Sequence, residues 1–385
     1  MAVHNSVFSV DNRRSPATGC GQREHAEHRR STVDGMKRPM LLPTVTPLHR
    51  DRRSIQVGLS GTRSLVLRSD RSPMARLLTL LDGRHTETSL RQEAAQLGFD
   101  TDELDRLLRA LADRGLLRDA SSLLPGRLAP ATRRRLEPEA AALSMRLPST
   151  VSPARALAHR RRARVVLVGR SRLAAPTAAL LAAAGIGRLH PVAGGVVGAS
   201  DPAVGGVLPD DARRPWRRAV CDAILRAAPE TDTRALTGPD ADLIILFGRP
   251  RPTPPFGYGQ SLRTVRHLSV WVRDAAVVVG PLVRPGRTSC LRCVEHARAD
   301  RDRAWPVLAA QLATIPGPVP EPVDAPLLAA GAALAAAQVL QELDGGQPDT
   351  LGGALELPSP GIVRRRSWPP HPRCGCVRPS LRRRA

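Results

Sequence analysis

Lysine is almost missing from this chain. Of its 58 lysines and arginines, only Lys37 is a lysine. Aromatic residues make up 2%, with one Tyr and four Phe, so any core must be built from Leu, Val and Ala. That scarcity bears on the formal charge of +23, which by itself points to nucleic acid or an acidic surface. A single-strand site needs aromatic platforms for stacked bases, and this chain has few to offer. Arginine spread along the sequence together with many Ala, Pro and Gly reads as the bias of a GC-rich genome. No run of 18 apolar residues exists; the longest Ala/Leu stretch, Pro326 to Ala337, meets Gln338, Gln341 and Glu342 and is expected to be a buried helix. No signal peptide is visible, so the expected place is the cytoplasm, with no membrane partner.

What is present is a pattern of cysteines. Four of the six fall in two tight pairs, Cys290-Leu291-Arg292-Cys293 and Cys374-Gly375-Cys376. Each pair can aim two thiolates at one centre, and Gly375 permits the sharp turn. Together they make a closed tetrathiolate of the structural zinc type, with no open position for catalysis. The gap of about 80 residues is no objection, because closure entropy grows slowly with loop length. Two disulfides, or four unrelated buried thiols, are the other readings, and the expected cytoplasmic setting disfavours the first. Cys20 lies in a polar N-terminal stretch. Cys221 reads as a core thiol on a helix, and His371 as a neighbour of the cluster rather than a ligand.

With 385 residues the chain has room for two or three domains. Residues 1–37 are polar without periodicity and are expected to be a disordered tail, with Met36 an alternative start. Residues 38–120 read as a small α+β domain. A hairpin is expected from Ile55, Val57 and Leu59 and from Leu65 to Leu67. Helices then follow from Pro73, from Thr86, and from Asp100, Thr101 or Asp102; the last carries Leu104, Leu107, Leu108 and Leu111. Residues 121–163 read as a linker with helical tendency, in which Arg133 to Arg135 and Arg160 to Arg162 are expected to be solvated.

From residue 164 the pattern changes. Arg164 to Gly169 is a buried strand running into a glycine turn, Leu173 to Ala184 a helix, and Arg188 to Val192 a second strand, the beginning of a dinucleotide-type fold. A helix over 212–226, strands over 233–236, 242–247, 267–272 and 276–283, helices over 302–312 and 325–343, and a hairpin over 351–368 complete the reading. Residues 378–385 form a basic tail.

Strands followed by three helices make 38–120 winged-helix-like, and the unit resembles the PqqD-like leader-peptide-recognition domain. The run Val279 to Val283, then Pro285 to Cys293, Asp300 to Pro306 and Trp368 to Cys376, resembles the zinc-bearing part of the ThiF/E1 family. The closest branch is the partner proteins of bacteriocin cyclodehydratases, and the resemblance spans about 38–377. It implies an α/β, Rossmann-like ThiF/E1 fold over 164–377 with a structural zinc site made by the four paired cysteines. It also implies a precursor leader peptide and a YcaO-type cyclodehydratase as partners, with a homodimer left open.

An active member of that family adenylates a carboxylate, and the parts this needs are missing here. Gly169 stands at the first glycine of the nucleotide loop, but Arg170, Ser171, Arg172, Leu173 and Ala174 follow where the family has further glycines. Val192 to Gly195 supplies no acidic residue for the ribose. No carboxylate follows Phe247 for magnesium, and no lysine exists inside the fold. The expectation is a non-catalytic scaffold without ATP. The rivals are a ThiF-type adenylyltransferase acting on a carrier protein, and a winged-helix DNA-binding regulator whose third helix would offer Arg106, Arg109 and Arg114 among four acidic side chains.

Overall fold

The computed structural model describes residues 8–10, 36–248 apart from 44, 61–62, 70–72 and 149–150, then 260–314 and 321–377. It divides into two units, 1–157 and 158–385.

The first unit is organised on a hairpin. Strand β1 (Phe8–Val10) precedes β2 (Pro39–Leu41), β3 (Pro47–His49), β4 (Ser54–Ser60) and β5 (Arg63–Ser69). Strands β4 and β5 pair antiparallel, and the sheet runs β1-β5-β4-β3. Val57, Leu65 and Leu67 are buried, the period-2 face that the sequence shows. Three helices cover that face: α1 (Met74–Thr79), α2 (Glu87–Gln96) and α3 (Thr101–Asp113). Thr86 caps α2 by accepting from the Ser89 N–H. Asp100 and Glu103 form a reciprocal capping box at the start of α3, which fixes its first turn at Asp100. Leu104, Leu107, Leu108 and Leu111 enter one core with the hairpin. The returning strand β6 (Leu117–Asp119) pairs with β2 rather than with the hairpin.

Two stretches of the N-terminal third carry elements outside the expected small domain. Within the stretch expected to be a disordered tail, Phe8–Val10 forms a strand paired with β5; the rest of that stretch up to residue 35, with Cys20, and the basic tail 378–385 lie outside the described residues. The stretch 121–163, expected as a linker with helical tendency, is largely helical. It holds α4 (Pro130–Arg146) and α5 (Pro153–Arg162), which bury Leu136, Ala140, Leu143 and Leu157 in a core of their own. Pro130 opens α4 at a position where the missing N–H costs nothing.

The second unit is a seven-stranded mixed sheet in the order β13-β12-β11-β10-β9-β7-β8. Its elements are β7 (Arg164–Val168), α6 (Ala174–Ala183), β8 (Arg188–Val192), α7 (Trp216–Ala227), β9 (Leu243–Phe247), β10 (His267–Arg273), β11 (Ala276–Val283), α8 (Leu291–Arg301), α9 (Trp305–Thr314), α10 (Ala325–Leu343), β12 (Gly353–Ser359) and β13 (Ile362–Ser367). β8, β7, β9 and β10 are parallel, and the remaining pairs are antiparallel. Alternate residues of β7 and β9 divide between two cores. Val165, Leu167, Leu243 and Ile245 join α6, α7 and α10 on one face, while Val166, Val168 and Ile244 line the other. No strand forms at 233–236; Asp232 makes a single bridge to Arg188, and Arg234 faces solvent.

Helix α10 is long and apolar enough to cross a membrane by length and composition, yet it packs inside this unit. A Cβ on Gly331 would lie 2.6 Å from Val277, so glycine sets the closeness of helix to sheet. The polar groups of this region are matched. Glu342 receives Arg266 and Arg284, and Gln338 receives the Thr350 backbone and hydroxyl. Arg160, expected in solvent, is 1% exposed; it clamps Asp344 through two nitrogens at 2.9 and 2.6 Å and donates to the Ala184 carbonyl.

Removing Arg160 by Arg160→Ala strips Asp344 and a buried carbonyl of their donors. The expected loss is about 3–5 kcal/mol. All four tryptophans lie in the second unit, so denaturant unfolding followed by Trp fluorescence reads that unit alone.

Candidate functional site

Three places carry the sequence expectations. The first is the cysteine cluster. Strand β11 delivers the chain to Cys290, which caps α8, and Cys293 falls in the first turn of that helix. Beyond β13, a turn with Gly375 at φ +63° presents Cys374 and Cys376. All four sulfurs lie within 4.8 Å of one another. The Cys290–Cys293, Cys290–Cys374 and Cys293–Cys376 separations are 3.9, 3.5 and 3.3 Å. A tetrahedral zinc about 2.3 Å from each sulfur sets them about 3.8 Å apart, so the group can hold a metal ion.

The thiols feel one another strongly. Burial, followed by the crowding of neighbouring sulfurs, pushes Cys374 up and Cys376 up to about 11. For Cys293 burial also acts upward, but backbone hydrogen bonds from His371 and Cys290 outweigh it and the shift is down. The His371 N–H donates to the Cys293 sulfur at 3.2 Å, while its ring meets Asp300 at 2.7 Å and stacks on His296. The His371 ring therefore supports the knuckle without entering the ligand set. A small core of Trp271, Val278, Val294, Ala354 and Trp368 sits in the same region, and the Trp368 backbone N–H donates to the Gly352 carbonyl. Arg298 lies over both Trp271 and Trp305 and pairs with Glu295. Cys221, on α7, is half-buried and stands apart from the cluster.

The second place is the loop between β7 and α6. Gly169 has φ +101°, and a Cβ there would meet the Phe247 carbonyl at 2.3 Å. Glycine is required at this position by the close approach of β9, whatever binds beyond it. Several of the loop's donors are already used. The backbone N–H of Arg172 and the hydroxyl of Ser171 both donate to Glu321 Oε2, at 2.8 and 2.9 Å, and the Leu173 N–H donates to the Ser171 hydroxyl. A helix N-terminus attracts an anion, and here the anion is a side chain of the same molecule. Arg170 pairs with Asp201 and lies over Trp216, and the Arg172 guanidinium donates to the Val323 carbonyl. A carboxylate of the same chain therefore occupies this loop's donors, and both arginines are engaged elsewhere in the fold. Sequence reading missed Glu321 and Asp201, because no spacing ties either to a loop 31 or 150 residues away.

The third place is the hairpin and α3. Arg114 donates to the Ser64 carbonyl and so serves the fold rather than a free basic surface. Arg91 bridges Glu87 and Asp105, and Glu103 is buried in its capping box.

With these arrangements in place, the class is clear: the chain has a ThiF/E1-like fold. E. coli MccB with succinimide superposes at a TM-score of 0.60 and 15% identity, covering 89% of this chain and 100% of that one. The microcin C7 biosynthetic enzyme MccB in complex with N-formylated MccA gives 0.59 and 14%, over 88% and 99%. PaaA gives 0.60 and 19%, over 84% and 98%. The sequence itself matches no family model and no curated protein.

Purified protein is expected to carry one metal ion per chain, lost when Cys374→Ser and Cys376→Ser are combined; elemental analysis reads both. Glu321 offers a second test. Burial pushes its carboxyl up, and the hydrogen bonds from Arg172 and Ser171 offset this only in part. A raised folded-state value means stability present at low pH and lost as pH rises through it. The advantage of the native chain over Glu321→Gln should therefore be larger at pH 5 than at pH 7.5. Glu321→Ala, which leaves two donors unmatched, should cost about 1–3 kcal/mol.

Proposed function

We propose that this chain is a non-catalytic ThiF/E1-like scaffold. Its N-terminal unit binds the leader of a ribosomally made precursor peptide, and the chain presents that peptide to a YcaO-type cyclodehydratase, which supplies the ATP chemistry. The observation that carries this reading is Glu321: a fold that seats its own carboxylate against the nucleotide loop repels the phosphates an adenylating enzyme must hold. Support for a peptide ligand comes from MccB, which shares the fold over nearly its whole length and has been solved with MccA. The ion assigned to the four thiolates is zinc, in a closed structural role that clips the segment after β13 onto α8. The cytoplasm is the expected setting, with neither membrane nor nucleic acid as a partner; a homodimer is compatible with the role. The mixed charge of α3, with Arg114 engaged in its own fold, disfavours a DNA reader.

An adenylyltransferase is the second reading, favoured by the existence of an MccB structure with ATP on the same fold. Calorimetry with ATP and magnesium separates the two. The scaffold reading expects no binding tighter than about 1 mM, about −4 kcal/mol. Micromolar binding, with pyrophosphate exchange stimulated by a carrier protein, would transfer the chain to the second class. On the scaffold reading, a YcaO-type enzyme encoded nearby should modify its precursor efficiently only when this chain is added.

A further inference from the structure

With β1 set aside, the β5-β4-β3 sheet of the first unit has two edges. One is β3, three residues long and opening on Pro47, which has no N–H to offer. The other is β5, seven residues long. One end of β5 is closed from within the unit: Arg114 donates to the Ser64 carbonyl, and Arg63 reaches the Met145 carbonyl. The remaining part of the edge is taken by β1 in antiparallel register, Phe8 opposite Ser69, Ser9 opposite Arg68 and Val10 opposite Leu67. A strand at a sheet edge is held by main-chain bonds that any extended peptide of suitable pattern can make.

We propose that the outer edge of β5 is a peptide-docking edge whose resident occupant is the chain's own segment Phe8–Val10. An incoming extended peptide binds antiparallel to β5 by displacing that segment. The inference rests on the leader-binding reading given above and adds to it a built-in competitor. Residues 11–35 connect the segment to β2, so the competitor is tethered and acts at high effective concentration. The ligand class is an extended peptide with an apolar, small polar, apolar triplet like Phe8-Ser9-Val10.

The test uses a fluorescein-labelled synthetic peptide of residues 4–14 and three proteins: the native chain, a chain starting at Met36, and the full chain with Ser9→Pro and Val10→Pro. Successive N–H groups of a strand point to opposite sides, so the paired prolines remove at least one N–H directed at β5. Fluorescence anisotropy is expected to show both opened proteins binding the probe about tenfold or more tightly than the native chain does, as a lost tether requires. Equal binding by all three proteins, or binding by none, overturns the proposal. A precursor leader peptide run in parallel separates this inference from the reading beneath it. If the leader binds native and opened chains alike while the probe binds none, the competitor falls and leader recognition stands. If the probe behaves as expected and the leader binds no form, leader recognition falls and the occupied edge stands.

Discussion

The contact on which the second unit depends is the one between Glu321 and the β7–α6 loop. A helix N-terminus presents N–H groups that need an acceptor, and a fold that binds nucleotides leaves that need to the ligand. Here the need is met by the chain itself. One carboxylate oxygen takes both the Arg172 N–H and the Ser171 hydroxyl, and in doing so it fixes where the segment leading into α10 lies. Asp324, three residues on, then caps α10 by accepting from the Leu327 N–H.

The same economy governs the rest of the unit. Carboxylates are outnumbered by guanidinium groups, and those that go inside are each bound by arginines: Asp344 by Arg160, Glu342 by Arg266 and Arg284, Glu356 by Arg273 and Arg366. Burying such pairs is weak as a source of net stability, because desolvation consumes most of the attraction, but breaking one is costly. The arrangement therefore acts mainly on register. Glu356 ties β12 to β13 on one side and, across β11, to the end of β10 on the other, and Glu342 draws the loops after β9 and β11 onto α10.

How much of this was legible follows from how local each signal is. The hairpin β4–β5, the caps at Thr86 and Asp100, the β7-α6-β8 start and the two cysteine pairs are written within a few residues, and the structure places them where the sequence does. Helix α8 was not legible: Leu291–Arg301 has no apolar stripe, and only Cys293 and Val294 are buried. Thr233 to Leu236 reads as a strand, and the structure has instead a single bridge at Asp232, with arginine side chains on the Thr233 and Ala235 carbonyls. Arg160 stands in a run of three arginines, and nothing in the run distinguishes the one that meets Asp344. Glu321 and Phe8–Val10 act on residues far away in sequence, and their roles exist only once the chain has folded.

The cysteine cluster imposes an order of events. Cys290 and Cys293 are made before α10, β12 and β13, while Cys374 and Cys376 come after every strand of the sheet. Two thiolates cannot close a four-coordinate site, so a bound ion would be enclosed only after the last strand has been synthesised. An ion held there would join the start of α8 to the segment beyond β13, tying the last-made part of the chain to a part made well before it.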